Sequence, residues 1–116
     1  MKTEQNDAPL TIQKSASERV WTMLARVPPG RVITYGGLAR LAAVRGGGRQ
    51  VGWIMARLPA ELDLPAHRVV NARGELSGGW AFGHPMVMKQ LLEDEGVTFV
   101  ADYRVDLAKH RWPDDS

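Results

Sequence analysis

The chain has 116 residues, 44% hydrophobic and 24% charged, with no cysteine. A length near the usual domain size allows one domain with a real core. The missing thiols exclude disulfides, thiolate metal sites and cysteine-based catalysis.

No apolar run approaches the ~20 residues that span a bilayer, and Met1 to Pro9 is polar, without the apolar segment of a signal peptide. A cytoplasmic protein with no membrane partner is expected. The net charge of +2 hides a division along the chain. From Thr11 to Trp80 there are 10 basic residues against 4 acidic ones, whereas the flanks hold 5 basic and 9 acidic. Nine of the ten central cations are arginines, which grip phosphate bidentately and stack on bases. A middle that faces a polyanion, with acidic ends, follows.

In chain order, residues 1–10 read as a flexible tail, 11–112 as the domain and 113–116 as a frayed end. Ser15 and Glu18 have the spacing of a capping box. They open a helix predicted over Ser17 to Val27, with Val20, Trp21, Leu24 and Val27 on one face. Pro28-Pro29-Gly30 stops it. Arg31 to Tyr35 is β-branched and predicted extended, and Gly36-Gly37 is read as a turn into a second helix, Leu38 to Val44. Gly46 to Gly48 breaks that helix before a third, Arg49 to Leu58, carrying Val51, Ile54, Met55 and Leu58 on one side. Two short helices across a glycine turn form a helix-turn-helix pattern.

Leu62 to Val70 is predicted extended, Asn71 to Gly74 a turn, and Ser77-Gly78-Gly79-Trp80 a flexible loop. A fourth helix starts near Pro85, a good first-turn residue, and ends at Gly96. A short strand over Val97 to Val100 and a last turn over Asp106 to Trp112 complete the chain. The fold class is mostly α with short extended segments, a single helix-turn-helix or winged-helix-like DNA-binding domain.

Several familiar chemistries are absent from the sequence. The triple glycine lacks the Lys-Ser/Thr of a phosphate loop. His67, His84 and His110 lack metal-ligand spacing, and no Gly-x-Ser-x-Gly elbow is present; neither metal nor cofactor is expected. Gly47, Gly48 and Gly52 leave the start and one face of the third helix nearly bare, although glycine inside a helix costs about 1 kcal/mol. A bare face lets backbone approach another surface closely.

Three sets of motifs now carry a resemblance. They are Val27-Pro28-Pro29-Gly30-Arg31-Val32 with Thr34-Tyr35-Gly36-Gly37-Leu38-Ala39; Arg49-Gln50-Val51-Gly52 with Pro65-Ala66-His67-Arg68-Val69-Val70; and Gly74-Glu75-Leu76-Ser77-Gly78 with Leu91-Leu92-Glu93-Asp94-Glu95-Gly96. In order and spacing they resemble the C-terminal DNA-binding domain of the O6-alkylguanine-DNA alkyltransferases. Active members read Pro-Cys-His-Arg, and the thiolate accepts the alkyl group. Ala66 stands at that cysteine position, and an alanine methyl is no nucleophile. The chain therefore resembles the alkyltransferase-like proteins, and no enzymatic activity is expected.

The resemblance implies minor-groove binding to double-stranded DNA containing O6-alkylguanine, base flipping without alkyl transfer, and presentation of the damage to nucleotide excision repair proteins. It implies DNA-binding roles for Tyr35, Gly47, Gly48, Arg49, Gln50 and Gly52. Tyr35 would crowd a phosphate and rotate the nucleotide, while Arg49 would fill the vacated place in the stack. It implies a flipped-base pocket of Tyr35, Met55, Ala66, Val69 and Trp80, with the Trp80 backbone N–H at the guanine O6. His67 and Glu95 match the dyad that activates the thiol, and without one they are left to hydrogen bonding and packing. Two departures stand out: Arg57-Leu58-Pro59 replaces an asparagine hinge, and the lid loop offers the Trp80 indole where a basic residue can occur. A monomer is expected.

The residues alone leave two other readings open. A sequence-specific winged-helix regulator would need base-reading side chains such as Asn or Gln on the third helix, for which Gln50 alone is thin support. A hydrolase using His67 and Glu95 would need turnover.

Overall fold

The computed structural model describes residues 14–115. The tail read over residues 1–10, and the first residues of the predicted domain, lie outside the described residues. Helix α1 spans Ala16–Leu24 and begins as its capping box dictates. The Ser15 Oγ accepts from the Glu18 N–H at 3.1 Å, and the Glu18 carboxylate accepts from the Ser15 N–H at 3.0 Å. Val20, Leu24 and Val27 are buried, with Trp21 packed beside them.

Strand β1 (Ile33–Thr34) runs straight into α2 (Tyr35–Leu41). Here the structure corrects the sequence reading: Gly36-Gly37 lies within the helix rather than turning the chain before it, and α2 ends at Leu41, short of Val44. The reason is a cap. Thr34 Oγ1 accepts from the Gly37 N–H at 2.9 Å, so the first turn starts three residues earlier. Helix α3 (Gly47–Ala56) also starts and ends two residues before its predicted span. Val51 and Ile54 bury inward. Helices α1, α2 and α3 enclose one core cluster that includes Leu24, Ile33, Leu38 and Val69.

The stretch predicted extended, Leu62 to Val70, is mostly not. It holds two 3-10 turns, Ala60–Leu62 and Ala66–Arg68, and becomes strand only at β2 (Val69–Val70). Pairing is parallel and two residues long, Ile33 to Val69 and Thr34 to Val70. Asn71 to Gly74 turns as predicted, its Asn71 carbonyl accepting from the Gly74 N–H at 2.9 Å. The loop read as flexible leads into a further 3-10 turn, Gly79–Phe82.

Helix α4 (Pro85–Asp94) has proline in its first turn and ends against Gly96, which adopts φ +90°. Antiparallel β3 (Phe99–Ala101) and β4 (Arg104–Val105) form a hairpin, and α5 (Leu107–His110) closes the order. Met88, Leu92, Val97 and Val105 build a second core cluster with Val32, Val70 and Leu76. Among the described residues no helix is long and apolar enough to cross a membrane.

The end read as frayed at 113–116 is tied down at Asp115. Its side chain is fully buried. It accepts from the Thr34 N–H at 2.9 Å and from Thr34 Oγ1 at 3.0 Å, and it pairs with Arg40 at 2.9 Å. A carboxylate so enclosed is tolerable because charged and polar donors surround it.

Candidate nucleic-acid interface and base pocket

Helices α2 and α3 form the helix-turn-helix, and α3 stands as a ridge between two concavities. Along α3, Gly52, Met55 and Ala56 line the larger one, a cavity of about 500 Å³. Tyr35 from the start of α2, Ala66 and Val69 from the signature segment, and Ser77-Gly78 from the lid also face it. The volume falls within the ~300–1,000 Å³ usual for small-molecule sites. Four of the five residues expected in the pocket (Tyr35, Met55, Ala66 and Val69) therefore meet in one place. Trp80, the fifth, lies in the 3-10 turn whose neighbours Ala81 and Phe82 line the cavity.

Sequence reasoning missed Leu58, Ala60 and Met88 as lining residues. Their apolar character read as core, and only the fold turns them toward the cavity. Leu58 and Ala60 flank Pro59, so the segment without the asparagine hinge still contributes to the wall. It is held by turn hydrogen bonds, the Met55 carbonyl accepting from Leu58 and the Pro59 carbonyl from Leu62, at 3.2 and 3.1 Å.

Tyr35 connects the pocket to its lid. Burial raises its phenol above the ordinary value of 10, and a hydrogen bond with Ser77 partly opposes that rise. A methyl group added at Gly78 would come within 2.7 Å of the Tyr35 hydroxyl. Any larger residue there would make the phenol shift from its place under the loop.

The expected DNA-facing residues separate into groups. Arg49 is exposed on the first turn of α3. Gly52 is open, with no atom near where a side chain would begin. Gly48 is not: a Cβ there would lie 3.2 Å from the Gly36 amide nitrogen and 3.4 Å from Tyr35. Its smallness lets α3 cross the start of α2 closely and corrects the reading of Gly48 as part of a bare face. Gly47 adopts φ +70° and opens the helix. Gln50 lines the second, smaller concavity rather than the pocket.

The central positive charge also divides. Arg19 donates to the Ala42 carbonyl at 2.7 Å, Arg31 to the Lys109 carbonyl at 2.9 Å, Arg40 pairs with Asp115, and Arg68 pairs with Glu95. These four arginines hold the fold together. Lys14, Arg26, Arg45, Arg49, Arg57 and Arg73 are exposed, as is much of the Arg40 side chain.

Behind the pocket floor, His67 Nε2 lies 2.9 Å from the Glu95 carboxylate. Arg68 reaches the same carboxylate through two nitrogens, at 3.0 and 2.6 Å, and donates to the Val27 carbonyl at 2.8 Å. Burial alone would raise the Glu95 pKa. The hydrogen bonds from Arg68 and His67, with their charges, outweigh it and hold the carboxyl at about 2 instead of 4.5. Neither His67 nor Glu95 is among the residues found to line the cavity. Among the described residues no cluster could hold a metal ion.

Residues 15–97 match the family model of the 6-O-methylguanine DNA methyltransferase DNA-binding domain. The DNA base-flipping protein of Escherichia coli K12 is 40% identical over 101 residues, covering 86% of this chain and 76% of that protein. Alkyltransferase-like protein 1 of Schizosaccharomyces pombe is 35% identical over 98 residues, 81% of this chain and 91% of that one. The crystal structure of S. pombe Atl1 in complex with damaged DNA containing O6-carboxymethylguanine superposes with a TM-score of 0.75 at 32% identity. It covers 86% of this chain and 96% of Atl1. On the matched domain and on these relatives, the chain belongs to the family defined by the DNA-binding domain of 6-O-methylguanine DNA methyltransferase.

Proposed function

We propose that this protein binds O6-alkylguanine in duplex DNA by turning the damaged nucleotide into the cavity beneath Tyr35, and that it transfers no alkyl group. The observation that carries the reading is the cavity itself. It retains a wall of Tyr35, Met55 and Val69 with the Ala66 methyl where the family holds its thiol, in a chain with no sulfur nucleophile. Extruding a base costs a few kcal/mol, least for a poorly paired lesion. The exposed Arg49 guanidinium offsets part of that cost by stacking in the vacated place. The bound lesion would then be presented to nucleotide excision repair proteins, with the protein acting as a monomer.

The relatives support DNA as the partner: one is a base-flipping protein by name, and another is seen with DNA carrying O6-carboxymethylguanine. A hydrolase is disfavoured by His67 and Glu95, which are bonded to one another, with Glu95 also held by Arg68, and neither lines the cavity. A sequence-reading regulator is disfavoured because α3 offers Gln50 as its one amide side chain for reading base edges.

The test is a titration of duplexes that differ only by O6-methylguanine in place of guanine, followed by mass spectrometry of both components. Preferential binding to the lesion is expected, with neither protein nor DNA changed in mass. Arg49→Ala and Tyr35→Phe are expected to weaken lesion binding more than binding to undamaged DNA. Equal wild-type affinity for the two duplexes, or a protein gaining the mass of a methyl group, would overturn the proposal.

A further inference from the structure

The second concavity lies on the opposite flank of α3, between it and α1, with a volume of about 380 Å³. Trp21 and Ser17 line it from α1, Gln50 and Trp53 from α3, and Arg57 from the residue that caps its end. Trp53 is 57% exposed, unusual for the largest apolar side chain on a helix that buries Val51 and Ile54. The Arg57 guanidinium lies over its ring, 4.9 Å from the centroid. The indole N–H of Trp21 is buried with no hydrogen-bond partner, a state that asks for an acceptor. Ser17, Gln50 and Arg57 add further donors, and no acidic side chain is among the lining residues. Such a lining suits an anionic, acceptor-rich ligand with flat surfaces.

The position of Arg49 says which ligand. On a helix, residues three and four apart are neighbours. Arg49 is three before Gly52, which lines the base pocket, and four before Trp53, which lines the groove. It therefore stands on the crest between the two concavities. A duplex seated on this crest with one nucleotide turned into the pocket has its other strand on the groove side. Resting on the proposed base-flipping reading, we infer that this groove is the seat of the complementary strand. Trp53 lies against a sugar or base face of that strand, and Arg57 meets its phosphate. One helical turn, about 5.4 Å, separates Trp53 from Arg49, and a strand advances about 3.4 Å per nucleotide. The contact therefore falls one or two nucleotides from the position opposite the lesion.

The experiment is an anisotropy titration of wild type, Trp53→Ala, Trp53→Phe and Arg57→Ala. The duplexes carry O6-methylguanine and uncharged methylphosphonates on either the lesion strand or the complementary strand. Trp53→Ala is expected to bind the unmodified lesion duplex about tenfold more weakly, with Trp53→Phe recovering much of the loss. Methylphosphonates on the complementary strand should weaken the wild type and leave Arg57→Ala without further loss. Because both side chains are exposed, melting temperatures should stay at the wild-type value. Affinities of Trp53→Ala and Arg57→Ala within twofold of wild type would overturn the inference, as would masking of the Arg57 effect by lesion-strand methylphosphonates alone. The wild-type comparison of damaged and undamaged duplexes reports separately on the base-flipping reading. Wild-type lesion preference together with Trp53→Ala and Arg57→Ala affinities equal to wild type would sink the groove and spare the pocket.

Discussion

Replacing Glu95 with glutamine tests whether the histidine–glutamate pair is a structural joint. The Glu95 carboxylate joins Arg68 and His67, and through Arg68 the Val27 carbonyl beyond α1, to the end of α4. Held at about 2 instead of 4.5, that carboxylate contributes at most about 3 kcal/mol at neutral pH. With 18% of its side chain open to water, screening lowers the figure to about 2 kcal/mol. The sign follows from the lowered folded-state value. The contribution is complete above about pH 4.5 and is lost as the pH falls through about 2. Urea denaturation at pH 7, 5, 3.5 and 2.5 measures this directly. The Glu95→Gln variant should be about 2 kcal/mol less stable at pH 7, with a melting temperature about 8 °C lower. Its deficit should fall to about a quarter of the neutral value at pH 2.5. At 20 °C the folded variant should keep the wild-type preference for damaged over undamaged duplex. A constant deficit at all four pH values would refute the assigned coupling, and lost lesion preference in a folded variant would refute the structural role.

Asp115→Ala removes the buried acceptor of the Thr34 N–H and hydroxyl together with the ion pairs to Arg40 and Arg111. It should cost about 3 kcal/mol in urea denaturation, and a melting temperature within 2 °C of wild type would contradict the latch. Gly37→Ala should destabilise similarly, since its Cβ would run into the Asp115 carboxylate; a neutral effect in the same assay would show that the latch yields. Gly52→Ala has open space around it and should raise stability by about 0.5–1 kcal/mol while weakening DNA binding. Unchanged affinity would mean that this face never approaches DNA closely.

Local signals were legible where a capping box, a proline or a terminal glycine marked them. The Ser15–Glu18 box, the proline start of α4 and the Gly96 stop all depend on near neighbours, and each is where the sequence places it. The start of α2 was not legible, because the side chain that secures the Thr34 cap comes from Asp115, 81 residues away. The extended reading of Leu62 to Val70 failed for a related reason. Parallel pairing secures only two of those residues, and the 3-10 turn at Ala66–Arg68 aims His67 and Arg68 at Glu95. In the pocket, Tyr35, Met55, Ala66 and Val69 came from motif resemblance; periodicity alone would have assigned Met55 and Val69 to the core. The groove beside α3 was hidden because Trp53 lies off the predicted face of Val51, Ile54, Met55 and Leu58, and only the packing of α1 against α3 shows what stands beside it.

The same geometry explains how a pocket of this kind can dispense with its nucleophile. Ala66 lines the cavity but makes no side-chain bond that holds the fold. The polar side chains that follow it, His67 and Arg68, meet Glu95 behind the wall. Removing a thiol from that position deletes chemistry and leaves the joint intact. Removing the carboxylate would strand a guanidinium whose side chain is only 13% exposed, at a cost in stability that any function of the domain would feel. On the proposed reading, selection on the fold is sufficient to keep Glu95 and Arg68 in a chain without catalysis, and their presence carries no information about turnover. Only the residue facing the cavity does, and here it is an alanine.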